Sequence, residues 1–457
     1  MGIRKYPTLP SVAKMKRKMK KIIKTIMMAV ACGGFFPAAA TAQSYQLVTS
    51  TSDLESGKRY LIVAKQSSNY YAWAGLDLSD KKGKVTSVSP NGNVITPTEA
   101  VVPVQLVKSN DGWMIIDTNS IVYVGTTSEG SALLVGDSAP VSFTRFLWTI
   151  SIDGGTTKID NFSNKTPHYL KYDEDNNFFR SYGESEKTDI SLYKEVLTSG
   201  SPLTLYDGID NKAIIDAANG STFDVTLKNR KFFEDGKWNT LCLPFSLTSL
   251  TGTPLDGATI MELDKDGNYK KVNDVWAKAV DGTNKTGFDA NSGTLYLFFK
   301  TATSIVAGKP YIIKWDNASG TIDSPIFSNV KISNTTSEVT SQDEYVTFQG
   351  GYNVKPITGV DQSILFLGSN NNVYYPSAAM NINAFRAYFQ LNGITAGEPY
   401  SPESGTGNGG VRSFALSFGD NETSSIENVQ CSMFNQKSGT PSTVAVSTAS
   451  PRLVAST

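Results

Sequence analysis

Short apolar stretches separated by polar turns run along the chain from about residue 45 onward. Between residues 45 and 196 such stretches, for example RYLIVAK, GWMIID and SLYKE, recur roughly every ten residues. Turn-forming pairs such as Asn91-Gly92 and Asp111-Gly112 separate them. No helical period lasts longer than one turn, so the pattern predicts an all-β domain over residues 43–196.

A faint three-fold repeat runs through this region. Strands that contain Tyr60, Trp113 or Trp148 are each followed by a turn and a second short aromatic strand. Three such units in about 150 residues predict a β-trefoil-like domain. A small barrel or sandwich is the alternative, because aromatic residues are common in strands of every fold.

Residues 221–419 contain a second series of strands, among them WNTLCLPF, TLYLFFK and FRAYFQL. Their number and spacing predict an all-β domain of the β-sandwich or jelly-roll type. Residues 197–220 are predicted to connect the two domains, with a short helical stretch at 211–218. Residues 420–457 are rich in serine and threonine without a pattern, which predicts a disordered tail.

Charge changes the picture at the N-terminus. Residues 1–42 hold nine Lys/Arg and no Asp/Glu, and a short apolar run leads to small residues at Ala40-Thr41-Ala42. This arrangement predicts a signal peptide that is cleaved before Gln43, with lipoprotein processing at Cys32 as the alternative. We therefore expect a protein that is secreted or held on the outer surface of a Gram-negative cell, without a transmembrane anchor.

The chain beyond residue 42 is acidic, since 33 Lys/Arg face 42 Asp/Glu there. A nucleic-acid partner is therefore not expected.

Several stretches carry a resemblance, namely GKWNTLCLPFSL, SIVAGKPYIIKW, INAFRAYFQL and VRSFALSFGDNETSSIENV. Together they resemble a module of secreted and cell-surface, adhesin-type proteins of gut Bacteroidetes, and the region from YQLVTSTSDLESGKRYLIVA to DISLYKEV looks like its recurring N-terminal partner domain. The resemblance implies an extracellular β-rich protein without an assigned activity. Such proteins commonly end in a sorting segment, which low-complexity sequence replaces here after residue 429.

Cys242 is the first candidate for chemistry. A reactive thiol needs a neighbouring base or a positive field, and the sole histidine, His168, lies in the other predicted domain. Cys242 also stands between two leucines on a short strand. We interpret Cys242 and Trp238 as packing residues, with a disulfide to Cys431 and a reactive thiol as the alternatives.

A loop in YDEDNNFFRSYGE suggests a calcium site. Asp173, Asp175, Asn177 and Glu184 stand at positions 1, 3, 5 and 12 of a calcium-loop pattern. Phe178 occupies the position that usually holds glycine, so a polar hairpin turn is the alternative. Apart from this Ca²⁺, no cofactor is predicted.

Aromatic residues near the turns of the first domain are the candidates for ligand binding. Sugar sites on β-trefoils pair a flat aromatic ring with polar side chains, and core packing is the alternative. The candidates are Tyr70, Tyr71, Trp73, Tyr123, Tyr169 and Tyr172.

From these features we expect a non-catalytic binding or adhesion protein. Its predicted partner is a glycan or another component of a host or bacterial surface. A glycan hydrolase with a carboxylate pair and a structural spacer are the alternatives.

Overall fold

The computed structural model describes residues 43–127, 132–136, 143–161, 168–183, 187–273, 275–316, 320–368, 371–396, 410–411, 413–418 and 423–427. In these residues strands predominate, and one helix of seven residues, α1 (Lys212–Ala218), is present with two short 3₁₀ turns. The predicted all-β class is confirmed. Within the same residues, no helix has the length and apolar character needed to cross a membrane.

Fourteen strands of the N-terminal part form a single sheet. They are β1 (Ser44–Leu47), β2 (Arg59–Gln66), β3 (Asn69–Asp77), β4 (Lys82–Val88), β5 (Val94–Ile95), β6 (Val104–Lys108), β7 (Trp113–Asp117), β8 (Val122–Thr126), β9 (Leu133–Gly136), β10 (Trp148–Asp153), β11 (Thr156–Asn161), β12 (Tyr169–Asp173), β13 (Phe178–Tyr182) and β14 (Ile190–Val196).

Six of these strands close on themselves. In the order β2, β6, β7, β10, β11, β14 and back to β2, each is antiparallel to the next. Three hairpins, β3–β4, β8–β9 and β12–β13, are attached to β2, β7 and β11. The chain therefore repeats the order strand, hairpin, strand three times.

The closed ring encloses one apolar core, to which Tyr60 of β2 and Trp148 of β10 contribute fully buried side chains. Trp113 of β7 belongs to the same core. The strands of Tyr60 and Trp113 each open one unit of the repeat. Trp148, however, lies in the strand that ends the second unit, and the third unit begins one strand later, at β11. The sequence repeat is shifted there because Trp148, in the last strand of its unit, is also directed into the core.

The C-terminal part contains 23 further described strands. They are β15 (Pro202–Tyr206), β16 (Thr222–Lys228), β17 (Lys231–Glu234), β18 (Asn239–Leu241), β19 (Thr259–Leu263), β20 (Tyr269–Val272), β21 (Val275–Lys278), β22 (Gly287–Asp289), β23 (Thr294–Ala302), β24 (Tyr311–Lys314), β25 (Gly320–Asp323), β26 (Ile326–Lys331), β27 (Val339–Thr340), β28 (Val346–Gly351), β29 (Lys355–Ile357), β30 (Ile364–Leu367), β31 (Val373–Tyr374), β32 (Met380–Ile382), β33 (Arg386–Leu391), β34 (Thr395–Ala396), β35 (Gly410–Val411), β36 (Ser413–Ser417) and β37 (Thr423–Glu427).

Two larger sheets share a core. One has the order β18-β24-β19-β23-β36-β37, with β22 beside β23, and the other has the order β27-β28-β33-β30-β31. Leu297 and Phe299 of β23 meet Phe348 and Phe389 of the five-stranded sheet in this core. Alternate residues of β23 face the other way, where Phe298 packs on the β20–β21 hairpin. Both faces of β23 are therefore covered.

A third core lies between the connector and the sheets. It joins α1 and the strands β15, β16 and β26 to the segment around Cys242. β15 runs parallel to β16, so the region that we expected to be a simple connector supplies one strand of a three-stranded sheet. Contacts unite the described parts from Gln43 onward into one compact unit.

The last described strand lies beyond residue 419, where the disordered tail was predicted to begin. β37 is antiparallel to β36 over five residue pairs, so the larger sheet continues into that segment. The turn-like residues Gly419 and Asp420 hid this strand in the sequence. The rest of the predicted tail, like the predicted signal peptide, lies outside the described residues.

Candidate functional site

Two of the six aromatic residues that we predicted to bind a ligand are fully buried. The indole N–H of Trp73 donates to Asp117 Oδ2 at 2.8 Å, and its ring fills the space that a Cβ on Gly83 would need. Tyr172 packs beside Phe179, with 5.5 Å between ring centroids. Neither ring is presented to solvent, which favours the core-packing alternative for these two residues. Both side chains point from the hairpin strands into the core that the six closed strands enclose.

The other predicted aromatic residues are half-buried. Tyr71 stacks on Tyr172 at 5.1 Å, and the Lys65 ammonium lies 5.5 Å above the ring of Tyr70. Tyr169 is half-buried as well. Tyr70 and Tyr71 lie on β3 and Tyr169 lies on β12, and none of the three lines the described cleft.

Tyr123 has a different environment. It packs against a small cluster formed by Ile116, Tyr206 and Ile209. Tyr206 and Ile209 belong to the connector, so this tyrosine helps to attach the closed ring to the C-terminal part.

The predicted calcium loop folds around the carboxylate of Asp173. This carboxylate accepts hydrogen bonds from the backbone N–H groups of Asp175 at 3.2 Å and Asn176 at 3.3 Å, and from the hydroxyl of Tyr182. The Lys187 ammonium lies 3.1 Å from Asp173 Oδ1 and 2.7 Å from Asp175 Oδ2. A lysine thus supplies positive charge to the two carboxylates that were predicted to bind Ca²⁺.

Burial raises the pKa of Asp173, but hydrogen bonds from Tyr182, Asn176 and Lys187 outweigh it and hold the pKa at about 2. Asn177, with φ of 59°, closes the turn, and its Oδ1 accepts from the Tyr172 hydroxyl at 3.0 Å. Glu184 lies outside the described residues. In the described segments, no three His, Cys, Asp or Glu residues are grouped as a metal site would require.

Cys242 is a free thiol without exposed surface. Burial raises the pKa of the thiol to about 12, so it is protonated at neutral pH. Its Sγ abuts Gly350, where a Cβ would overlap with it. Cys431, the predicted alternative partner, lies outside the described residues.

Trp238 is also buried. It stacks on Phe418 at 5.2 Å, and the Lys314 ammonium lies 5.0 Å above its ring.

An open cleft of about 440 Å³ lies in the C-terminal part, a volume in the range of small-molecule sites. It is bordered by α1, by the segment that joins β28 to β29, and by the segment that joins β32 to β33. Its lining mixes charged, amide and aromatic side chains with bare backbone.

The floor of the cleft is the outer face of the five-stranded sheet. β28 and β33 pair Gln349 with Tyr388 and Gly351 with Arg386. Successive side chains of a strand point to opposite faces, so these residues lie opposite the core residues Phe348 and Phe389. The Tyr388 hydroxyl donates to Gln349 Oε1 at 2.6 Å, which fixes the ring in place.

Two successive glycines shape this floor for different reasons. Gly350 is required because Cys242 lies directly behind it. At Gly351 a Cβ would meet only the carbonyl oxygen of Asn353, at an ordinary 3.7 Å. The missing side chain of Gly351 is therefore not demanded by packing, and it leaves the space above the strand open.

Most charged side chains that line the cleft form ion pairs. Both Nη atoms of Arg386 donate to the carboxylate of the buried Asp207, at 3.1 and 2.9 Å. Lys212 Nζ lies 2.6 Å from Asp216 Oδ2. Lys355 differs, because its ammonium lies 5.1 Å above the ring of Tyr388 and forms no ion pair with any described residue.

Sequence reasoning did not predict this cleft. Its one signal was the pair Gly350-Gly351 within the strand pattern YVTFQGGYN, since glycine inside a strand marks a close approach or an open surface. The partners of the glycines, α1 and β33, are remote in sequence, so their convergence could not be predicted from local pattern.

Comparison with protein-family models gives no match, and comparison with curated proteins gives none either. Among solved structures, a GH43 β-1,3-galactosidase is similar over 33% of this chain, with 14% sequence identity and a TM-score of 0.24. The aligned part spans 29% of that enzyme. A TM-score this low does not establish a shared fold or site.

Proposed function

We propose that this chain is a secreted or surface-exposed protein that binds a glycan, without catalysis, in the cleft on the five-stranded sheet. The observation that carries the proposal is the open polar cleft in which the ring of Tyr388 stands beside Lys355 and amide side chains. Sugars bind by placing their apolar face on an aromatic ring while amides and charged groups bond to hydroxyls.

A hydrolase is less well supported at this cleft. Glycoside hydrolysis generally needs two carboxyl groups on either side of the scissile bond, one of them protonated. Asp216 is the one acidic residue among the described lining. A hydrogen bond from Lys212, joined by one from Asn334, lowers the pKa of Asp216, so this carboxyl is ionised and cannot act as the acid.

We further infer that the closed six-stranded ring with its three hairpins is a β-trefoil and that the two larger sheets form a sandwich. The strand pairing supports both inferences. The motifs named above support membership in the adhesin-type modules of gut Bacteroidetes, and residues 1–42 support secretion by a signal peptide. Fractionation of expressing cells tests the location, since the protein should leave the cytoplasm and lose residues 1–42.

A glycan array tests the binding function. The purified protein should bind a subset of glycans. It is probed with and without Ca²⁺, because the loop of Asp173, Asp175, Asn177 and Glu184 is a proposed calcium site. Binding that requires Ca²⁺ would move the site to that loop. An array on which no glycan binds would contradict glycan recognition and favour the structural spacer.

A blocking substitution tests the place of binding. Gly351→Leu puts a side chain into the cleft without backbone strain and should abolish the binding found on the array. Gly359→Leu is the matched control, because a side chain there also meets open space but lies outside the cleft. Equal binding by the two variants would exclude the cleft as the site.

A further inference from the structure

The charges around the cleft are unequally compensated. Arg386 is held by both carboxylate oxygens of Asp207, and Asn383 adds a hydrogen bond to the same carboxylate at 3.3 Å. The pair of Lys212 and Asp216 is likewise neutral as a unit. Lys355 alone among the charged side chains of the described lining lacks a carboxylate, so the cleft carries one uncompensated positive charge.

The position of Lys355 makes this charge usable by a ligand. The residue is half-buried at the start of β29, where its backbone pairs with Ile382 across the sheet. The ring of Tyr388 supports the ammonium by a cation–π contact, which leaves the hydrogen-bonding capacity of Nζ unspent. A ligand anion would therefore meet a cation that need not first leave another carboxylate.

The chain beyond residue 42 carries the opposite net charge. Beyond residue 42 acidic residues outnumber basic ones by nine, so the average field repels anions. At physiological ionic strength that field is screened beyond roughly 8 Å, whereas a direct contact in a half-buried cleft is screened much less. An anion that reaches the cleft is thus attracted by Lys355 although the chain is acidic on average.

We propose that the cleft recognises an acidic saccharide, whose carboxylate or sulfate group binds Lys355 while the sugar ring lies along Tyr388. This inference rests on the proposed glycan-binding function and specifies its ligand class. A carboxylate and a sulfate ester are the two sources of the same chemistry, an anionic group attached to a pyranose. Charge-assisted hydrogen bonds are the strong polar contacts of such sites, so the anion should dominate the choice of ligand.

Matched oligosaccharides test the ligand class on the full chain. Glucose and galactose trisaccharides are each prepared in three forms, which carry a hydroxymethyl, a carboxylate or a sulfate ester at C6. Calorimetry should give about tenfold tighter binding for at least one anionic form than for its neutral parent, as expected for one charge-assisted contact. The form that binds tightly identifies the source of the anion. Equal affinity for all three forms would overturn the inference and leave glycan binding intact.

Variants of Lys355 test the residue itself. Lys355→Gln keeps most of the side-chain length and should weaken binding of the anionic form about tenfold, with less than about a twofold change for the neutral parent. Lys84→Gln is the control, because Lys84 is also a strand lysine without an ion pair in the described residues and lies outside the cleft. Anion preference that survives Lys355→Gln would overturn the assignment to this residue. If neither the array nor any trisaccharide shows binding, the proposed function itself fails.

Discussion

The closed ring and the cleft use aromatic residues in opposite ways. In the ring, Trp73 and Tyr172 are turned inward, and their polar atoms are bonded to Asp117 and Asn177. On the five-stranded sheet, Tyr388 lies on the outer face and forms part of the floor of an open cleft. Residues of similar chemistry thus stabilise the fold in one region and line a cavity in the other.

The difference follows from how each sheet is covered. A sheet that closes on itself encloses a core, and the hairpins add further side chains to it. Large aromatic side chains near the turns therefore point into that core. The five-stranded sheet has one face in the shared core, and the other is covered only in part by α1 and loops. Gly351 keeps that remaining space open. An aromatic residue near a turn is therefore a weak indicator of a binding surface when its sheet is closed.

Replacement of Trp73 should produce the largest effect in this comparison. Trp73→Ala removes a fully buried indole and leaves the Asp117 carboxylate without its donor, so we expect the free energy of unfolding to fall by about 3–5 kcal/mol. Tyr388→Ala, on an accessible face, should cost only about 1 kcal/mol but should lose glycan binding. Urea unfolding measures both. A Trp73→Ala protein that stays stable yet no longer binds glycans would reverse the assigned roles.

Local pattern was sufficient for some of this architecture. TLYLFFK was predicted to be a strand, and it is one. Leu295, Leu297 and Phe299 lie in the shared core, and Tyr296 and Phe298 pack on the other face. The helical stretch at residues 211–218 was predicted nearly to its bounds because it is polar, short and ended by Asn219-Gly220.

Other features depended on long-range pairing. β15 was assigned to a connector because its partner β16 lies beyond α1, and a parallel pair leaves no hairpin signal. The lysine beside Asp173 comes from residue 187, on the far side of a hairpin. Which aromatic residues would be buried depended on the closure of the ring, which no window of sequence contains.

The two regions also differ in their carboxylates, since Asp173 in the predicted calcium loop is buried whereas Asp216 in the cleft is exposed. Protonation of Asp173 should therefore lower the stability of the fold. The pKa of Asp173 is about 2 in the folded protein, below the value of 3.8 for a free aspartate. Its ionised form therefore stabilises the fold above about pH 4, and this contribution, on the order of 2 kcal/mol, is lost as the pH falls from about 4 to about 2.

Denaturant unfolding between pH 5 and pH 2 measures this contribution. The wild type should lose more stability over that interval than Asp173→Asn, whose side chain does not titrate. Identical pH profiles for the two proteins would show that the hydrogen bonds to Asp173 do not favour its ionised form.

Cys242 is a core residue that lies directly behind the floor of the cleft, at Gly350. Cys242→Ala removes only a sulfur atom from the core and should lower the free energy of unfolding by about 1 kcal/mol without a change in glycan affinity. With a pKa of about 12, the thiol should resist iodoacetamide at pH 8 until the protein is unfolded. Mass spectrometry locates the label on this cysteine. Rapid labelling of Cys242 in the native protein would restore the reactive-thiol interpretation.

Replacement of Asp216 should change stability least. It also tests whether uncompensated positive charge in the cleft governs ligand binding. Its ion pair with Lys212 connects residues four apart on α1, an exposed arrangement worth only about 0.3–0.5 kcal/mol. Asp216→Asn frees the lysine and gives the cleft a second uncompensated positive charge, so affinity for an anionic trisaccharide should rise a few-fold while thermal stability hardly changes. Asp210→Asn, which removes a carboxylate just before α1 but outside the lining, serves as the control. Weaker binding by Asp216→Asn would mean that this carboxylate accepts a hydrogen bond from the sugar, and that compensation of charge does not govern the site.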